Sequence, residues 1–230
     1  MKLKSHIPNT LTLLNLLSGI IGIHWVIEGE IFSAAWFIIL SAFFDFLDGF
    51  AARMLQVTGE LGKQLDSLAD LVSFGVLPGF VLFSMCEQVS PGSWLAYFTL
   101  TIPLFSALRL AMFNLDTRQS DRFIGLPTPA NALFISTLPY LFTQWIDLER
   151  FFLTPWAYLV LAGVLSFLLV AEIPLIALKF KNFSFKKNVF RYVLIGFGIG
   201  LILAFGLAGI PLIILSYLIL SLVENSLSKA

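Results

Sequence analysis

Long apolar runs, broken at intervals by short polar clusters, dominate the chain. A helix that crosses the hydrocarbon core of a bilayer needs about 20 mostly apolar residues, because each residue adds about 1.5 Å and the core is about 30 Å thick. Eight segments meet that need: 10–27, 32–54, 66–86, 94–113, 128–146, 153–178, 189–206 and 209–225. Gly29, the Pro91–Gly92 pair, the polar run Asn114–Arg122 and the basic run Lys179–Lys187 separate several of them. Only Leu207 and Ala208 join the last two, so a tight hairpin is expected there. The pattern predicts an all-α, polytopic membrane helix bundle of eight transmembrane helices. No internal repeat or low-complexity segment interrupts it.

Composition sharpens this. The 230 residues are 58% hydrophobic and 12% charged, and the mean hydropathy is +0.92. A soluble domain carries about 25% charged residues. Half that density leaves too little polar surface to face water, so residues 1–230 are expected to form one membrane domain. The 24 phenylalanines suit lipid-facing and interhelical packing, and the zero net charge makes no electrostatic case for nucleic acid. The single cysteine, Cys86, excludes an intramolecular disulfide and is expected to pack in its apolar helix. Lys2 and Lys4 before an apolar run resemble the start of a signal peptide. No small-x-small cleavage pattern precedes the next helix, however, and Pro8–Asn9 interrupts the run, so a retained first helix is expected, with Met1–Asn9 along the inner membrane surface.

The basic residues orient the bundle. With the N-terminus inside, every lysine and arginine except Arg150 falls on an inner segment. Such asymmetry follows the positive-inside rule and predicts both termini in the cytoplasm.

Against this apolar background stand four acids in adjacent predicted helices: Asp45, Asp48, Asp66 and Asp70. A charge at the bilayer centre costs about 2.5–3.5 kcal/mol on insertion scales. The spacing indicates the compensation. Asp45 and Asp48 are three apart and share one face of the second helix, and Asp66 and Asp70, four apart, share one face of the third. Asp45 lies about 12 Å along the helix from Arg53, which keeps the acids in the inner leaflet near water. A short connection brings both faces together. Converging carboxylates repel, so they require protonation or a cation, and hard divalent ions such as Mg²⁺ or Mn²⁺ favour such oxygen ligands. Gly49 and Gly62 remove side chains beside the acids, Ala52 keeps the next turn low, and Arg53 offers a fork suited to a phosphate or a nucleotide edge. A transporter or ion-binding site is the alternative from another class. Against it, the acids all lie toward one end, and the outer halves of their helices are almost purely apolar.

The order Asp45-x2-Asp48-Gly49-x2-Ala52-Arg53-x8-Gly62-x3-Asp66-x3-Asp70 resembles the complete signature of the CDP-alcohol phosphatidyltransferase family. The resemblance implies transfer of a phosphatidyl group from CDP-diacylglycerol to an alcohol with release of CMP, Mg²⁺ or Mn²⁺ dependence, and a homodimer in the membrane. It implies that Asp45, Asp48, Asp66 and Asp70 ligate metal and that Asp70 is also the base for the incoming hydroxyl. Gly49, Ala52, Arg53 and Gly62 would then form the CDP-diacylglycerol site. Direct and covalent displacement both stay open. The family core would span about residues 8–180, followed by two further helices over 189–225.

Other stretches resemble the phosphatidylserine synthase branch of that family. They are Ile7–Thr12 with Asn15 and Gly19, Asp66–Val76, Ala107–Ala111 with Phe113–Asn114, Phe123–Pro129, and Ile173–Pro174 before Lys179. Met112 departs from it, standing where that branch often carries a second arginine. The branch implies L-serine as acceptor. Its carboxylate needs a cation, for which Arg109, Arg118 and Arg122 are the candidates; positive-inside anchoring is the competing role for each. Glycerol 3-phosphate or an inositol phosphate is the alternative acceptor. Pro127 and Pro129 are expected to start the fifth helix. Glu172 is expected within the sixth helix, pairing with an arginine or orienting the serine ammonium, and His24 is expected to face the surface or pack near the outer end of its span.

Overall fold

The computed structural model describes residues 6–57, 59–115, 123–176, 184 and 188–229. Among the described residues, the regular structure is helical except for one short strand pair. The α-helices are α1 (His6–Ile27), α2 (Ser33–Leu55), α3 (Glu60–Asp70), α4 (Leu77–Val89), α5 (Thr101–Leu115), α6 (Thr128–Gln144), α7 (Ile146–Phe151), α8 (Pro155–Val170), α9 (Val189–Phe205) and α10 (Gly209–Lys229).

Among the described residues, five helical stretches are long and apolar enough to cross a membrane: His6–Ile27, Ser33–Leu55, Glu60–Val89, Trp94–Leu115 and Val189–Leu227. The last contains both predicted C-terminal spans. It breaks at Gly206, whose φ of +57° is in the left-handed region, and a 3₁₀ turn over Gly206–Ala208 returns α10 against α9 as the expected tight hairpin. At 17 and 16 residues, α6 and α8 are shorter than those five.

The helix Glu60–Val89 is the most buried of the five and is not uniform. Directly after Asp70 the α-helix widens into a π-helical stretch, Leu71–Val76. Such a turn holds extra residues and so rotates α4 relative to α3, and π-turns recur at functional sites. Around it lies the core: Phe74, Leu77, Val81 and Leu82 are fully buried, together with Ile38, Ile102, Leu126 and Ile135 from neighbouring segments. Cys86 is buried in the same cluster, as packing. Without a hydrophobic drive between helices in lipid, small residues set how closely they pack. A Cβ on Gly19 would stand 2.5 Å from Ser73 Oγ, and one on Gly79 would stand 2.7 Å from Pro103 Cδ. These contacts bring α1 and α5 onto the central helix.

Two expectations need correction. The sixth predicted span, 153–178, ends as a helix at Val170. Ala171 is extended, and Pro174–Leu175 forms a strand, β2, antiparallel to β1 (Phe123–Ile124), with Phe123 opposite Leu175 and Ile124 opposite Pro174. The cause is local: Pro174 has no N–H for a helix and disfavours helical geometry in the residue before it. The freed backbone is claimed instead by Gly125 N–H, which donates to Ile173 O at 2.9 Å. Glu172 is therefore an exposed residue of a non-helical segment, not part of a helix. The fifth span behaves as expected at its start: Pro127 caps α6, and Pro129 sits in its first turn. His24 is exposed near the end of α1.

Candidate active site

Three helices build the site. α1 supplies Thr12 and Asn15, three apart on one face. α2 supplies Asp45 and Asp48, and α3 supplies Asp66 and Asp70. One carboxylate oxygen from each of Asp45, Asp48 and Asp66 lies within 4.8 Å of the other two. Ionised carboxylates at that range repel one another, so the trio calls for a compensating cation or proton. No lysine or arginine among the described residues forms an ion pair with these acids. The donor set therefore fits a hard divalent cation: clustered oxygen ligands without a basic partner.

Asp70 stands beside this trio and is held separately. Asn15 Nδ2–H donates to Asp70 Oδ1 at 3.0 Å, while Thr12 Oγ1–H donates to Asp48 Oδ2 at 2.6 Å. Asn15 is itself immobilised: Ser41 and Ser73 hydroxyls donate to its backbone carbonyl at 3.3 and 3.0 Å. Its side chain is fully buried, and its Oδ1 has no protein partner. These two α1 residues escape a reading of the acids alone. They sit in the Ile7–Gly19 stretch, but only the packing of α1 on α2 and α3 discloses their partners.

The other expected residues divide into three groups. Gly49 and Arg53 are together: a Cβ on Gly49 would stand 3.4 Å from Arg53 Nη1, so the absent side chain leaves room for the exposed guanidinium. Ala52 is half-buried near the end of α2, and Gly62 faces α1, where a Cβ would lie 3.6 Å from Asn9 Oδ1. Arg109 is buried in α5, with its Nε–H donating to Leu126 O at 3.4 Å and its guanidinium 5.7 Å from the Phe113 ring centroid. Arg118 and Arg122 lie outside the described residues. Sequence spacing did not reveal that the end of α5 is tied to α3. Asn114 Nδ2–H donates to Ser67 Oγ at 2.7 Å, and Lys63 Nζ donates to Asn114 O at 2.9 Å, so α5 is held to α3 on both sides of Asp66.

Clustered carboxylates that could hold a metal ion, on adjoining helices long and apolar enough to cross a membrane, set the broad class, and comparison narrows it. The CDP-alcohol phosphatidyltransferase family model matches residues 5–182, and the chain belongs to that family. Among curated proteins, it is 35% identical over 136 residues to the CDP-diacylglycerol--serine O-phosphatidyltransferase of Bacillus subtilis, covering 59% of this chain and 76% of that one. It is 33% identical over 176 residues to the protein of the same name from Mycobacterium leprae, covering 74% of this chain and 57% of that one. The Helicobacter pylori (strain ATCC 700392 / 26695) protein of that name is 33% identical over 164 residues, with 69% and 68% covered.

Proposed function

We propose that this chain is a phosphatidylserine synthase, which transfers a phosphatidyl group from CDP-diacylglycerol to L-serine and releases CMP. The observation that carries the reading is the convergence of Asp45, Asp48 and Asp66 within 4.8 Å, with Asp70 oriented beside them by Asn15. The names of the relatives support serine as the acceptor.

Asp45, Asp48 and Asp66, with Asp70 at their edge, hold Mg²⁺ or Mn²⁺. A bound divalent ion supplies charge neutralisation for the pyrophosphate and for the leaving CMP. Arg53, with the space left by Gly49, Ala52 and Gly62, receives the CDP moiety. The serine hydroxyl oxygen forms a bond to the phosphorus that bears the diacylglycerol. The bond from that phosphorus to the bridging oxygen breaks, and CMP leaves with the electron pair. Asp70 takes the hydroxyl proton, a role its hydrogen bond from Asn15 orients without occupying both carboxylate oxygens. Arg109 answers the serine carboxylate, with Arg118 and Arg122 as further cations.

We place the site at the cytoplasmic face of the cell membrane, in a single membrane domain with eight spans, both termini inside, working as a homodimer. The one-sided distribution of lysine and arginine supports this orientation. The test is CMP release by the purified protein with CDP-diacylglycerol and Mg²⁺ or Mn²⁺ across serine, glycerol 3-phosphate and inositol phosphate. Serine-dependent release is expected. Release with another acceptor only would move the reading to that acceptor, and no release with any alcohol would favour a transporter or ion-binding protein.

A further inference from the structure

The family match ends at residue 182, so the C-terminal hairpin of α9 and α10 lies beyond it. Its inner half nevertheless grips the one non-helical platform among the described residues. Tyr217, Ser221 and Asn225 recur every four residues and so form one stripe along α10. Tyr217 Oη–H donates to Ile176 O at 3.1 Å, and Ile176 N–H donates to Ser221 Oγ at 3.1 Å. Asn225 Nδ2–H donates to Pro174 O at 2.5 Å. Ser221 also donates to Tyr217 O at 2.7 Å, which holds its hydroxyl in place as an acceptor for Ile176. Leu175, Ile176 and Ser221 are all buried. β2 thus lies between β1 on one edge and the polar stripe of α10 on the other.

The platform leads to a buried cation. Beyond β1, Gly125 N–H bonds to Ile173 O and Leu126 N–H bonds to Leu168 O at 2.8 Å. The Leu126 carbonyl then accepts from Arg109 Nε–H. A partly buried ion pair, Arg191 to Glu224 at 3.9 Å, ties α9 to α10 near the same end. Irregular backbone at membrane depth persists only where protein groups satisfy it. Here α10 satisfies one side of the Pro174–Ile176 backbone, whose other side pairs with β1, two residues before the Leu126 carbonyl that accepts from Arg109.

We propose that the C-terminal hairpin is a brace for the acceptor side of the site, with Tyr217, Ser221 and Asn225 as positioning residues that set Arg109 through β2, β1 and Leu126. This rests on the assignment of Arg109 to the acceptor carboxylate. Loosening the brace weakens capture of the acceptor and leaves the donor half, built on α1, α2 and α3, alone.

The test is steady-state kinetics of the full chain in detergent or nanodiscs with the single variants Tyr217→Phe, Ser221→Ala and Asn225→Ala, and with Ser221→Thr as the conservative variant. The expected result is a serine KM raised fivefold or more in Ser221→Ala and Asn225→Ala, with the KM for CDP-diacylglycerol moved less than twofold. Ser221→Thr, which keeps the hydroxyl, should restore the serine KM. A merely structural hairpin would instead lower the melting temperature and kcat with both KM values unchanged, and that result overturns the proposal. Tyr217→Phe keeps the ring and its packing, so it reads the hydrogen bond alone if the other variants fold poorly; an unchanged serine KM there also counts against the brace. If the wild-type chain releases CMP only with another acceptor, the serine reading fails, and the same KM comparison with that acceptor decides the brace. If it releases none, the proposal falls with the proposed function.

Discussion

Asn15 offers the sharpest test of the site chemistry. Its Nδ2–H reaches Asp70 Oδ1 at 3.0 Å, and this is a hydrogen bond between a buried amide and a carboxylate. Bonds to charged groups contribute about 1.5–3 kcal/mol net. At about 1.36 kcal/mol per tenfold in rate, replacing the amide in Asn15→Ala should lower kcat/KM by about one to two orders of magnitude. Stability falls as well, because Asp70 Oδ1 loses its donor, so the activity is read per folded molecule. The main chain of residue 15 still accepts the Ser41 and Ser73 hydroxyls after the substitution. The change opens a small cavity, but it also removes Oδ1, a buried acceptor with no protein partner. These two effects oppose each other, each on the order of 1 kcal/mol. CMP release measured across a range of CDP-diacylglycerol and serine concentrations, alongside thermal unfolding of the same sample, separates the readings. A kcat/KM within threefold of wild type in a folded variant would refute the idea that Asn15 orients the base, as would a loss fully accounted for by a smaller folded fraction.

Three more outcomes test the same geometry. Asp70→Asn should abolish transfer while metal-dependent binding of CDP-diacylglycerol survives, measured by isothermal titration; full activity would remove the base assignment. Chelation by EDTA should stop CMP release, and Mn²⁺ or Mg²⁺ added back should restore it and raise the melting temperature of the substrate-free protein; a melting temperature indifferent to the ion would count against a cation among Asp45, Asp48 and Asp66. Gly125→Ala should destabilise the fold, because Gly125 has φ +75° and a Cβ there would stand 2.8 Å from Leu169 O; thermal unfolding checks it.

Much of the site is legible in the sequence. Asp45 and Asp48, and Asp66 and Asp70, share faces by helical spacing alone, and their cost in an apolar setting demands a partner. Gly49 and Arg53 are one helical turn apart, and the fold places them together as that spacing implies. The hairpin after Phe205 and the start of α6 at Pro127 accord with short-range rules about glycine, proline and loop length. The end of the sixth helix is not legible in the same way. The hydropathy of 153–178 stays high almost throughout, and apolar content alone does not separate a helix from a buried extended segment.

The sequence by itself determined whatever depends on neighbours three or four residues away: the helical class, the paired acids and their shared faces. Only the tertiary structure decided which remote groups meet them. Thr12 reaches Asp48 across 36 residues and Asn15 reaches Asp70 across 55, because Gly19 lets α1 close onto Ser73 of the central helix. Arg109, legible in the sequence as a candidate cation for the acceptor, proved to be buried, with its Nε–H donating to Leu126 O. The Pro174–Ile176 backbone found its partners on α10, more than 40 residues later. Helical periodicity is a local property of covalent geometry, whereas these contacts depend on the depth and rotation at which helices pack, and those are set by side-chain volumes summed over the whole bundle.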